Sequence, residues 1–301
     1  MNLCDIRTVK RIMAEHETGT KKAFGQNFLI NPDIPYNIAE QSYSYHVSKT
    51  KEPSGVIEIG PGIGALTYEL AQRYEKVVAI EIDKTLIPIL DKTLVEFDNV
   101  CVINDDFLKL DTKELVAQHF GNSPVSVCAN LPYYITTPII MKLLEESREN
   151  GKNRLTSITV MVQKEVANRL CATSKDSDYG AITASINYYG TVNKLFDVSP
   201  DNFLPAPKVT SSVVRIELYD EQKYHVKNEK MLFDVIAGAF AQRRKTMLNS
   251  LSSYFSWISK ERIGQIITNL GFDINIRGER LSIQDFCTIA DVFYEEKNKE
   301  R

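Results

Sequence analysis

The residues of this chain best suited to chemistry on a flat, nitrogen-bearing ring stand together in "CANLPYYITTP", residues 128–138. A transfer onto an exocyclic ring amine needs acceptors for the two amine hydrogens. The nitrogen lone pair is delocalised into the ring, and hydrogen bonds that draw the amine toward tetrahedral geometry return it to the nitrogen. The Asn130 side-chain oxygen and the Leu131 carbonyl can be those acceptors. Pro132 adds no competing N–H and holds Leu131 extended. Tyr133 can stack on the base, contributing about 1–3 kcal/mol. A proline turn with packed aromatics has the same composition, so the reading depends on what stands beside it.

Three other tips stand beside it. "VIEIGPGIGAL" puts Gly60, Gly62 and Gly64 after a short apolar run and before a helical pattern, where the backbone can turn tightly and a helix N-terminus offers N–H donors. Gly60, Gly62 and Ala65 also satisfy G-x-G-x-x-G/A, so a dinucleotide site competes. Glu81 ends the next apolar run, where a carboxylate can accept from both ribose hydroxyls of NAD or of S-adenosylmethionine. The third run ends "INDDF", which places Asp105 or Asp106 to accept from an adenine amino group. Tips of Gly, Glu and Asp in succession favour an adenosine-containing ligand without pyrophosphate. Pro61 weakens the dinucleotide reading further, since it removes an N–H from a phosphate-cradling loop. With an activated sulfonium methyl, positioning and in-line approach matter more than a strong general base.

These tips require a parallel sheet. From residue 55 to about 163, apolar runs "VIEI", "KVVAIEI", "VCVIN", "VSVCA" and "LTSITVMVQ" alternate with helical patterns. That alternation predicts five β-then-α units covered on both faces, with right-handed crossovers. "VNKLFDV" and "TSSVVRIEL" follow a helix around "YGAITASINYY" and read as an antiparallel pair closing the sheet edge. From about residue 222 the patterns are helical only. "EKMLFDVIAGAFAQRRKTMLNSL" reads as one helix, "KERIGQIITNL" ends on Gly271, and Ser282 with Asp285 has nearly the spacing of a capping box. The expected class is α/β, a Rossmann-like methyltransferase domain over 1–221 with a small all-α domain over 222–301.

Composition narrows the classes. At 301 residues, 43% apolar and 25% charged, the chain is ordinary globular material. A net charge of −3 gives no general pull on nucleic acid, so any such partner must be met by local patches. No run approaches the roughly 20 apolar residues of a membrane span, so no membrane is expected. The five cysteines include no C-x-x-C pair, which fits a reducing cytoplasm, and the four histidines lack neighbouring metal ligands. A metalloenzyme and a Ser-His-Asp hydrolase are therefore disfavoured.

The chain resembles the KsgA-type ribosomal RNA adenine dimethyltransferases, relatives of the macrolide-resistance (Erm) methylases and of the mitochondrial dimethyltransferase-like transcription factors. The likeness runs in order through "KKAFGQNFL", "EIGPGIGALT", "AIEID", "NLPYYITTP", "MVQKEVANRL", "YGAITASINYY", "FLPAPKVTSSVVRI", "AFAQRRKTMLNSL" and "ERLSIQDF", which is nearly the whole chain. The resemblance implies S-adenosylmethionine contacts at Asn27, Leu29, Gly60, Glu81, Asp106 and Asn130, with the segment of Gln26 and Asn27 capping the cofactor. It implies that Tyr133 and Phe203 sandwich the base. Tyr134 stands where the family usually has Asn, and Phe107 where a small residue is common, so pocket packing is expected to differ.

No acidic residue occurs between Val235 and Ser259, where Arg243, Arg244 and Lys245 stand together on an expected helix matching the family's rRNA-facing "RRKT". A second acid-free run, Phe203 to Arg215, carries Lys208 and Arg215. The expected activity is S-adenosylmethionine-dependent dimethylation of N6 on two adjacent adenines in the hairpin near the 3′ end of 16S rRNA. The expected partner is the nearly mature 30S subunit, met by a monomer. The alternatives are an Erm-type enzyme on 23S rRNA, an assembly factor that no longer catalyses, and an NAD-dependent oxidoreductase. The "RRKT" segment and matched C-terminal helices favour the small subunit, and retention of Asn130, Tyr133 and Glu81 argues for catalysis.

Overall fold

The computed structural model describes residues 2–15, 27–51, 54–131, 135–149, 152–174 and 176–299. Seven strands form one sheet: β1 (Gly55–Ile59), β2 (Lys76–Glu81), β3 (Val100–Asn104), β4 (Val125–Asn130), β5 (Leu155–Gln163), β6 (Gly190–Val198) and β7 (Ser211–Leu218). Their order is β3-β2-β1-β4-β5-β7-β6. The pairs β1–β2, β1–β4, β2–β3 and β4–β5 are parallel, as the alternation of apolar runs with helices predicts. β7 runs antiparallel to β5, from Ser211 opposite Gln163 to Glu217 opposite Ser157, and β6 lies outside it at the edge.

The central strands are buried along their length because helices cover both faces. All five residues of β1 and the first five of β4 are buried. The helix Asp33–Thr50 buries Ile34, Ile38 and Ala39 in an apolar cluster with Val56, Leu70, Tyr74 and Val77. At about 0.8 kcal/mol per buried CH₂, this packing holds the helix against the sheet. The helix Thr112–Phe120 is stopped at its start by Asp111, whose Oδ1 accepts from the Lys113 and Glu114 N–H groups.

Two compact units divide the chain, 1–167 with 191–221, and 168–190 with 222–301. The segment 168–190 thus clusters with the C-terminal helices, whereas a single cut at residue 221 assigns it to the first domain. Its helix Ala181–Tyr189 accounts for this. Tyr189 stacks on Phe233 with centroids 5.8 Å apart, and the Tyr188 hydroxyl donates to Glu229 Oε1 at 2.9 Å. The second unit also holds the helices Glu229–Phe240, Met247–Tyr254, Lys260–Asn269 and Ile283–Lys299.

The expected long helix is therefore broken. Residues 241–246 form a turn, and Thr246 starts the next helix by accepting from the Asn249 N–H. Arg243, Arg244 and Lys245 stand on that turn and not on a helix. Gly271 follows the helix Lys260–Asn269 with φ +84°, and Ser282 and Asp285 cap each other reciprocally. Among the described residues no helix is long and apolar enough to cross a membrane, and no cluster of three potential ligands could hold a metal ion.

Candidate active site

Parallel strands place their carboxyl ends on one edge, and here β1, β2, β3 and β4 end side by side at Ile59, Glu81, Asn104 and Asn130. Above that edge lies an open cleft enclosing about 1250 Å³ of space, its mouth included. This is the crevice in which open α/β sheets bind ligands.

The loop after β1 turns through left-handed conformations at Gly60 (φ +73°), Gly62 (+62°) and Gly64 (+93°). A Cβ at Gly60 would meet no atom within 4 Å, so the backbone there borders open space in the cleft. At Gly64 a Cβ would come within 3.1 Å of Thr93 Oγ1, which explains the close seating of the following helix Ala65–Ala71.

Glu81 is buried, and both its oxygens are oriented by main-chain donors. Gly62 N–H donates to Oε2 at 3.1 Å and Asp83 N–H to Oε1 at 2.8 Å. Burial raises its pKa, and those N–H bonds oppose the rise. Each oxygen keeps a lone pair for a ligand hydroxyl. At the end of β3, Asp105 Oδ1 accepts from the Asp106 N–H at 2.7 Å, and Asp106 Oδ1 accepts from Leu108 N–H at 3.1 Å. Both aspartates border the cleft; Asp105 is exposed and Asp106 half-buried. Phe107 opens a single turn of 3₁₀ helix, so its N–H has no intrahelical acceptor. An acceptor at Asp106 beside a donor at Phe107 matches the amino and ring-nitrogen edge of adenine.

Glu58 is the residue that the strand-end reading missed. It sits inside β1, 1% exposed, and borders the cleft. Burial pushes its carboxyl up to about 8, with the Glu81 charge adding to the rise. Neither Glu58 Oε2 nor Thr67 Oγ1 has a hydrogen-bond partner among the described residues. At neutral pH a carboxyl held this way keeps its proton and sits uncharged within the strand. Its signal in the sequence was a lone acid within an otherwise apolar buried run.

Asn130, half-buried, and Leu131, buried, border the cleft at the end of β4. Pro132, Tyr133 and Tyr134 lie outside the described residues, as does Gln26. Across the cleft, Phe28–Leu29 pairs antiparallel with Phe203–Leu204, with Leu29 opposite Phe203. Asn27, Leu29 and Phe203 all border the same space, and Phe203 is only 4% exposed. No periodicity announces a two-residue ribbon, so these positions came from the family resemblance alone.

The basic residues are sorted by their surroundings. Lys208, Arg243, Arg244 and Lys245 are exposed. Arg215 is occupied internally: it donates to Glu217 Oε1 at 2.8 Å and to the Gln41 carbonyl at 3.1 Å, and lies 4.4 Å over the Tyr45 ring. It therefore drops out of the expected patch.

These residues fit S-adenosylmethionine. Glu81 can take the ribose hydroxyls and Asp106 and Phe107 the adenine edge, while Gly60 leaves room for the backbone's close approach. The family model of ribosomal RNA adenine dimethylase matches residues 18–295. The ribosomal RNA small subunit methyltransferase A of Alkaliphilus oremlandii is 42% identical over 285 residues, 95% of this chain and 96% of that protein. Its namesake in Clostridioides difficile is 41% identical over 283 residues, 94% of each chain. A dimethyladenosine transferase from Plasmodium falciparum has the same fold at TM-score 0.68 and 24% identity, covering 89% of this chain and 98% of that one. The 23S rRNA methyltransferase ErmE matches at TM-score 0.63 and 23% identity, over 88% and 98%.

Proposed function

From the premise that this chain belongs to the ribosomal RNA adenine dimethylase family, we propose that it dimethylates N6 of two adjacent adenines in the hairpin near the 3′ end of 16S rRNA. It acts on the nearly mature 30S subunit in the cytoplasm, as a monomer. The enzyme class, an S-adenosylmethionine-dependent rRNA adenine dimethyltransferase of the small subunit, follows from the family and from relatives above 40% identity. The observation that carries the reading is the convergence of Glu81, Asp106 and Asn130 on one cleft edge.

When bound, S-adenosylmethionine supplies a methyl group on a positively charged sulfur. The chain's task is to hold the acceptor amine in line and dry. Asn130 Oδ1 and the Leu131 carbonyl accept the two amine hydrogens and so restore the lone pair to nitrogen. The same acceptors serve the second transfer, in which one hydrogen remains. Tyr133 and Phe203 clamp the extruded base between rings, an arrangement that compensates unstacking. Glu81, Asp106, Gly60 and Gly62 hold the nucleoside part, and Asn27, Leu29 and Gln26 close over it. Lys208 and the Arg243–Lys245 turn meet phosphates.

Labelled methyl transfer onto 30S and 50S particles from an unmethylated strain tests this. Dimethyladenine at two neighbouring nucleotides of 16S rRNA is expected; incorporation only into 50S would overturn it. The family resemblance to ErmE does not favour 23S rRNA, since that likeness, at 23% identity, speaks to the fold alone.

A further inference from the structure

Gly238, in the helix Glu229–Phe240, has no room for a side chain. A Cβ there would come within 3.0 Å of Tyr254 Cδ1, 3.1 Å of its Cγ and 3.0 Å of Leu251 Cδ2. The Tyr254 ring is thus seated against the helix backbone. Its other support is Phe255, a buried ring edge-to-face with it at 5.0 Å and 76°. Tyr254 nevertheless remains 45% exposed. A large ring gripped from two directions and open to solvent is a stacking platform whose ordering cost has been met by folding.

This platform is fastened to the basic turn. Gln242 N–H donates to Ser250 Oγ at 3.2 Å, and Gln242 Nε2 donates to Ser253 Oγ at 2.8 Å. Ser250 Oγ in turn donates to the Gly238 carbonyl at 2.6 Å. The residue after Gln242 is Arg243, and the residue after Ser253 is Tyr254. Arg243 donates one nitrogen to the Ser177 carbonyl at 2.6 Å, which anchors the turn and leaves Arg244 and Lys245 as its outward cations. The sequence holds no carboxylate between Val235 and Ser259, and the acids beside the turn's anchor are Asp176 and Asp178, on either side of Ser177.

We propose that Tyr254 and the Arg243–Lys245 turn form one RNA-contact surface, in which the turn binds phosphates and Tyr254 stacks on an unpaired nucleotide beside them. This rests on the reading of the turn as an rRNA contact, and it specifies the RNA: a backbone with an unstacked base next to it, as in a loop or bulge, not a continuous duplex. A-form duplex offers phosphates but no free base face, whereas loops offer both.

The test measures binding of the full chain to unmethylated small ribosomal subunits over a series of salt concentrations. Tyr254→Ala is expected to bind about tenfold more weakly at every salt, with an unchanged dependence on log salt, and Tyr254→Trp to restore affinity. Arg244→Ala/Lys245→Ala should flatten the salt dependence by about 1.5 in log–log slope. An unchanged slope in the charge variant would overturn the turn as an RNA contact and the surface with it. A flattened slope together with wild-type affinity in Tyr254→Ala, or failure of Tyr254→Trp to restore it, would overturn only the stacking role. Ring removal that acted through misfolding would lower the melting temperature of Tyr254→Ala, so melting temperatures accompany each measurement and a binding loss that tracks a lowered melting temperature overturns the stacking role.

Discussion

Glu58→Gln isolates what the buried carboxyl does. Its pKa is raised from an ordinary 4.5 to about 8, chiefly by burial. Between those values the folded chain keeps a proton that the unfolded chain has released, so stability is full below pH 4.5 and falls as pH rises toward 8. The slope is about 1.4 kcal/mol per unit, at most about 5 kcal/mol across the window. Relaxation around the group reduces this to about 2–4 kcal/mol. Glutamine fills the same space and never ionises. Urea unfolding of the cofactor-free protein should therefore find Glu58→Gln close to wild type at pH 5 and about 2–4 kcal/mol more stable at pH 8. Parallel stability curves for the two proteins from pH 5 to 8 would refute the reasoning.

Glu81→Gln loses the charged acceptor and turns an NH₂ toward the Gly62 or Asp83 N–H, so cofactor affinity should fall about 10- to 100-fold by calorimetry. Asn130→Ala should slow single-turnover methyl transfer at saturating cofactor by about 100-fold or more, and a rate near wild type would remove Asn130 from the chemistry. Gly60→Ala meets no steric obstacle but must hold φ near +73°, which should cost about 1 kcal/mol in melting experiments and more in cofactor binding, since the methyl stands in the cleft.

Much of the first unit was legible because its signals are local. Apolar runs bounded by helical patterns place β1 to β5 within a residue or two of their observed ends, and Gly60, Glu81, Asp105 or Asp106, and Asn130 follow as tips of the first four. Glu58 was hidden by that same logic, since an acid inside a buried run looks like part of the strand. The break at residues 241–246 was hidden for a different reason. Gln242, Arg243, Arg244 and Lys245 are all good helix formers, and only the cap at Thr246 reveals that a new helix begins. Arg215 shows the limit of counting charges: one neighbouring carboxylate and one tyrosine ring, distant in sequence or on the same strand, absorb it.

The ribbon Phe28–Leu29 with Phe203–Leu204 joins segments that no local signal connects, and it constrains how the site can work. Ile30 N–H donates to the Asn202 carbonyl at 2.9 Å, and Asn31 Nδ2 donates to Asn202 Oδ1 at 2.8 Å, extending the pairing past Leu29. The segment assigned to the cofactor, Asn27 to Leu29, and the ring assigned to the base, Phe203, are thus parts of one hydrogen-bonded piece. Phe203 also belongs to the apolar cluster that holds Leu29, Ile38 and Leu70. Shifting either strand of so short a ribbon moves the other, because two residue pairs leave no slack in register. A weakened base clamp at Phe203 would therefore loosen the cofactor-side segment as well. The coupling lies in the main chain, where sequence patterns carry no trace of it.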